Sequence, residues 1–144
     1  KKAMELNING EKSVKLYRTN DVALLPKRSA ALILYNSISE KGITPAMEDL
    51  LQKLENNPDR FDVDEGELND VGYKFLNDNR TDEAIAVFTF ITHKFSGSSN
   101  AFDSLGEAYL KSGNKKEAVK NYEKSLLLDP ENANARKMLE ELNK

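Results

Sequence analysis

The sequence predicts an all-α fold: an α-solenoid of helix hairpins with a C-terminal capping helix and a short N-terminal β-hairpin. The 144-residue chain repeats its own pattern of large, small and aromatic residues at an interval of 34. Glycine or alanine recurs where two close antiparallel helices would have to cross. Charged residues make up 31% and hydrophobic ones 39%, a balance that suits amphipathic helices better than a thick core.

The same composition excludes several function classes. Net charge is −3 and no basic stripe is present, so nucleic acid is not an expected partner. The longest apolar run, Ala30–Tyr35, has six residues, far short of a membrane span. There is no cysteine, which excludes disulfides and thiolate metal sites and fits a reducing or an exporting compartment. The single histidine, His93, rules out a multi-histidine metal centre, and no cofactor is expected. The chain opens on Lys-Lys-Ala, with no Met and no signal-peptide pattern, and reads as a piece of a longer protein.

Residues 1–26 form the first unit. Met4 to Ile8 and Val14 to Leu16 alternate apolar with polar, and Asn9-Gly10 between them is a strong hairpin signal. The register stays open, since a three-residue loop pairs the apolar residues better than a two-residue one. Residues 27–64 follow as a degenerate helix pair, about Lys27 to Glu40 and Thr44 to Asn56. Thr44-Pro45 reads as the cap and first helical residue of the second helix. Phe61 to Asp64 is a four-residue insertion against the repeat.

Residues 65–132 hold two clear repeats, Glu65 to Ser98 and Ser99 to Asn132. Leu68, Val71, Gly72 and Phe75 in the first correspond to Phe102, Leu105, Gly106 and Tyr109 in the second. Ala84, Phe88 and Ile91 correspond to Ala118, Tyr122 and Ser125. Steps of three and four place each set on one helix face. Asn77 to Thr81 and Ser112 to Asn114 are the joining turns, with Gly113 suited to the left-handed residue that ends a helix. Pro130 closes the second repeat, and Ser96 stands in its place in the first. A glycine inside a helix costs about 1 kcal/mol against alanine, which close helix approach can offset. Residues 133–144 supply the cap: Ala135, Met138, Leu139 and Leu142 lie on one side, with charged residues on the other.

This pattern resembles the tetratricopeptide repeat, whose large, small, aromatic and proline slots match over Glu65 to Asn132. The resemblance implies a non-enzymatic scaffold for protein–protein interaction, with the first helix of each pair lining a concave groove. The groove slots hold Asn69, Tyr73 and Leu76 in one repeat and Asn100, Asp103, Glu107 and Leu110 in the next. In the degenerate first pair they hold Arg28, Ala31, Tyr35 and Ile38. Some members of the family grip a terminal carboxylate with basic side chains. Here those slots hold Ala31, Tyr35, Asp70, Asn100 and Ser104, without lysine or arginine. A neutral to basic protein or peptide partner is therefore expected, with Tyr73, Asn69, Asp103 and Glu107 as the first candidates to hold it.

A second resemblance runs from Asn20 to the repeats: the segment is similar to the C-terminal tail of some serine hydrolases of the β-lactamase or penicillin-binding type. It implies the alternative that the array supports or dimerises an upstream catalytic domain. The compartment would then be periplasmic or exported, rather than cytoplasmic as for a free-standing chain.

Other features carry no chemistry on this reading. Ser112-Gly113-Asn114-Lys115 matches Ser-x-x-Lys, but a surface turn offers neither a buried lysine nor oxyanion donors. The acids from Asp59 to Asp70 lack the spacing of a calcium loop and read as a solvated linker, with Asp64 capping the next helix. His93 reads as partly exposed near a helix C-terminus. Asn79-Arg80-Thr81 fits a glycosylation acceptor but falls in a helix-joining turn. Phe75, Phe88, Tyr109 and Tyr122 occupy core slots rather than a ligand box.

Overall fold

The computed structural model describes residues 26–144, together with the backbone of two short strands ahead of them. Those strands, β1 (Met4–Leu6) and β2 (Val14–Leu16), pair antiparallel with Met4 opposite Leu16 and Leu6 opposite Val14. In this register apolar positions stand opposite apolar positions along both strands. The Asn9-Gly10 turn itself lies outside the described residues.

The rest is helical apart from one small feature. Strand β3 (Arg28–Ser29) leads into α1 (Ala30–Lys41), and α2 (Ile43–Asn56) returns beside it. A 3-10 turn, Pro58–Arg60, then leads into β4 (Phe61–Asp62). Two helix pairs follow: α3 (Glu65–Asn77) with α4 (Thr81–Lys94), and α5 (Ser99–Lys111) with α6 (Lys115–Leu128). The last helix, α7 (Ala133–Leu142), packs on α6.

Capping chemistry explains most of the helix starts. Ser29, Asp64, Ser98, Asn114 and Asn132 each accept a backbone N–H from the first turn of the helix they precede. Each satisfies a donor with no partner inside the helix. Helix ends repeat as faithfully as the side-chain slots. Asn79 (φ 60°) and Gly113 (φ 83°) are left-handed. One residue further on, Arg80 and Asn114 donate N–H to the Phe75 and Tyr109 carbonyls, each at 2.9 Å. This is the six-residue closure that turns a chain sharply out of a helix.

The glycines sit where the helix pairs close. Gly72 faces the ring of Phe88, and Gly106 faces the ring of Tyr122; a Cβ at Gly72 would lie 2.5 Å from the first ring and one at Gly106 3.0 Å from the second. Ala84 and Ala118 are fully buried on the partner helices. The core runs from α1 to α5 through Leu34, Leu50, Leu68, Phe75, Phe88 and Ile91, and a smaller cluster around Ala118, Tyr122 and Ala135 seals the far end. Burying each large side chain stabilises by about 1.5–3 kcal/mol. On α7, Ala135, Met138, Leu139 and Leu142 face this cluster while Arg136, Lys137, Glu140 and Glu141 are exposed, the expected cap.

The first pair differs from its sequence reading in two respects. The first helix starts at Ala30 rather than Lys27, because Arg28 and Ser29 are extended: β3 pairs in parallel with β4, setting Arg28 opposite Phe61 and Ser29 opposite Asp62. Thr44 is not the cap of α2. A single residue, Gly42 at φ 84°, links the two helices, so α2 already begins at Ile43. Pro45 still falls in the first turn, where its missing N–H is harmless. The insertion reshapes the stacking as well. α4 packs closely on α5 and α6 on α7, but α2 makes at most glancing contact with α3; α1 and the β3–β4 bridge carry that joint.

Candidate concave binding surface

The first helices of the pairs, α1, α3 and α5, are neighbours and form one wall. Its character changes along its length. Between α1 and α3 lies a mainly apolar groove of about 450 Å³, lined by Ala31, Leu32, Tyr35 and Val71, with Glu67, Asp70 and Lys74 on its edge. Leu32 is 60% exposed there. Its position follows from the cap at Ser29: that Oγ accepts the Leu32 N–H and donates to Glu67 Oε2 at 2.6 Å, tying the start of α1 to α3. Tyr35 leans on the Phe75 ring, centroids 5.6 Å apart, with the Lys74 ammonium 5.7 Å from its own ring centroid.

Between α3 and α5 the wall is polar and internally bonded. Tyr73 donates its hydroxyl hydrogen to Glu107 Oε2 at 2.8 Å, and Ser104 donates to Asn69 Oδ1 at 3.0 Å. The Tyr73 ring packs edge-on against Phe88, 5.2 Å between centroids. Burial, reinforced by Glu107 and Asp103, pushes the Tyr73 phenol up to about 12, so it remains a donor at physiological pH. Tyr73 and Glu107 occupy the same slot in successive repeats, 34 residues apart, which is why they meet.

Between α5 and α7 the polar network tightens the cap. Asp103 is 9% exposed. Its two oxygens accept from Asn132 Nδ2 at 3.3 Å and from Asn134 Nδ2 at 2.8 Å. Asn132 also donates to Ser125 Oγ at 2.9 Å. Burial raises the Asp103 pKa against the pull of both asparagines, with a further push from Glu107. Leu110 lines a neighbouring pocket of about 320 Å³ with Tyr122 and Met138.

The expected groove residues thus fall into three groups. Tyr35 lines the open apolar groove. Asn69, Tyr73, Asp103 and Glu107 come together, but largely to bond one another; Glu107 keeps an exposed side chain, as does Asn100. Leu76, 2% exposed, faces the core instead of a groove, and its carbonyl accepts the Lys111 ammonium. Ile38 is likewise buried. Leu32 and Val71 were not among the sequence candidates: Val71 reads as a core slot, and Leu32 gains its place only from the way α1 docks on α3. Elsewhere, Ser112 donates to the Tyr109 carbonyl in an exposed turn, and Asp64 spends its carboxylate on the α3 cap. Among the described residues no group of three or more His, Asp or Glu is placed to hold a metal ion, and no helix is long and apolar enough to cross a membrane.

Residues 99–132 match the tetratricopeptide repeat (TPR) family. That stretch is one repeat long. The structure is also similar to solved TPR domains over most of the chain. One is the first TPR domain of the human RPAP3 protein, at 19% identity and TM-score 0.55, covering 79% of this chain and 90% of that one. Another is the first TPR of Spaghetti (RPAP3) bound to the HSP90 peptide SRMEEVD, at 19% identity and TM-score 0.54, with the same coverage. No curated protein sequence matches the chain. At that identity the likeness shows the TPR fold alone.

Proposed function

We propose that the chain is a non-enzymatic interaction module that takes an extended segment or a helix of a partner protein along the α1–α3–α5 wall. One observation carries the reading: an open, mainly apolar groove between α1 and α3 with Leu32 largely exposed in it. An exposed apolar surface rimmed by polar groups is a common mark of a binding site. The binding of a peptide by a similar TPR structure supports the same class of function.

The partner segment is neutral to basic. Glu67 and Asp70 border the groove and Glu107 lies exposed farther along the wall, against Lys74 as the one cation lining the groove among the described residues. The slots that hold lysine or arginine in carboxylate-gripping relatives are Ala31, Tyr35, Asp70, Asn100 and Ser104, so an acidic tail finds no cation there. A large apolar side chain seated on Leu32 and Val71, flanked by lysine or arginine, fits both the surface and its charge.

Selection from a random peptide display library on the intact chain tests this. Enriched peptides are expected to share an apolar anchor with basic neighbours, and Val71→Asp is expected to lose their capture by tenfold or more, about 1.4 kcal/mol. Unchanged helicity of the variant confirms that the groove alone was altered. Enrichment of acidic C-terminal peptides, or equal capture by the variant, would overturn the reading.

A further inference from the structure

Two arginines whose side chains bond no described residue line one pocket. Of the four arginines among the described residues, Arg80 pairs with Glu83 at 2.9 Å and lies over the Phe75 ring, and Arg136 donates to the Pro130 carbonyl. Arg28 and Arg60 make no side-chain hydrogen bond or salt bridge with any described residue. They line, with Asn57 and Phe61, a pocket of about 290 Å³ that no carboxylate of the described residues lines. We propose that Arg28, Arg60 and Asn57 form an oxyanion-binding site, one that takes a single carboxylate or phosphate group.

The backbone holds these groups in place. Arg28 stands opposite Phe61 in the parallel β3–β4 bridge, and Arg60 immediately precedes Phe61. Phe61 is only 8% exposed, so both arginines flank a residue anchored in the core. The Arg60 N–H donates to the Asn57 carbonyl at 3.1 Å, which fixes the 3-10 turn, and Asn57 lines the same pocket. Phe61 begins the insertion that interrupts the 34-residue period, so the stacking of repeats does not account for its pairing with Arg28.

The chemistry suits an oxyanion. A guanidinium presents five donors in a planar fork that matches carboxylate or phosphate oxygens two at a time. Asn57 adds neutral N–H donors. Asp59 and Asp62 flank Arg60 in sequence, yet neither lines the pocket, and Asp62 alternates to the opposite face of the strand from Phe61. Their charge restricts the site to one compact anion and disfavours a polyanion.

Titration of the isotope-labelled chain followed by nuclear magnetic resonance tests the site. Sodium phosphate and sodium acetate are the probes, with sodium chloride at matched ionic strength as reference. Saturable shifts are expected at the Arg28 and Arg60 Nε–H signals and the Asn57 side-chain amide. Response to phosphate alone assigns a phosphoryl ligand; response to both probes assigns a carboxylate-competent site. Arg28→Gln and Arg60→Gln are each expected to weaken binding about tenfold, with signals from α3 to α7 unmoved. Arg60→Lys keeps the charge, loses the fork and falls between wild type and Arg60→Gln. No saturable response, an equal response to chloride, or glutamine variants that titrate like wild type would overturn the assignment.

Discussion

At the residue scale, two glycines in equivalent slots have unequal room. A Cβ at Gly72 would come within 2.5–2.9 Å of the buried Phe88 ring, whereas one at Gly106 would lie 3.0–3.2 Å from Tyr122. Alanine gains roughly 1 kcal/mol in helix propensity over glycine, and overpacking costs about 1–3 kcal/mol. Gly72→Ala is therefore expected to destabilise and Gly106→Ala to lie near neutral. Gly106→Leu should lose on the order of 1–3 kcal/mol. Urea unfolding of the three variants checks the order; equal midpoints would remove the crossing argument. Asp103 supplies a pH signature. Burial raises its folded pKa above the value of about 3.9 in an unfolded chain. Its titration therefore favours the folded state fully below that value, and the contribution is lost as pH rises through the folded pKa. Asp103→Asn cannot titrate. The melting-temperature difference, variant minus wild type, should grow from about pH 4 to about pH 7; a constant or shrinking difference would contradict the buried-carboxylate account.

At the element scale, the cap of α7 does more than a cap. Asn132 accepts the Ala135 N–H and also donates to Ser125 and Asp103, joining three helices. Asn114 caps α6 by the same bond to Glu117 but is exposed. Removing an ordinary N-cap costs about 1 kcal/mol. Asn132→Ala should cost at least twice that, because Asp103 and Ser125 each lose a partner in a largely buried site. Comparing Asn132→Ala with Asn114→Ala by chemical denaturation tests this, and equal losses would reduce Asn132 to a local cap. The structural alanine or glycine slots, the turns and the cap helix are all readable from spacing. The β3–β4 bridge is not: two residues are too few to show alternation, and their partner lies 33 positions away.

At the scale of the whole molecule, the array is uneven. The pairs from α3 to α6 interlock through α4 and α5, and α7 closes the end, but α2 packs on α1 without a second neighbour of the same kind. Local stability follows the density of buried contacts. Amide hydrogen exchange should therefore be faster, in equivalent core positions, at Leu50 of α2 than at Phe88 of α4. Protection in α2 equal to that in α4 would show that the first pair is as firmly held as the rest.

The periodic part of this protein is legible in the order of its residues. Helix pairs, left-handed turn residues, glycine crossings and the amphipathic cap all follow from local spacing, because a helix returns to the same face every three or four residues. The same order also placed Tyr73, Asn69 and Glu107 on one wall, since equivalent slots of successive repeats become neighbours. Which of those side chains stay available is set by packing between the helices. Whether a polar group faces a partner or bonds its neighbour depends on contacts between residues more than 30 apart, as with Tyr73 and Glu107. The structure likewise decided that Leu32 and Val71 share a groove and that Arg28 meets Arg60. The insertion breaks the period there, and without a period spacing along the chain no longer reports proximity in space.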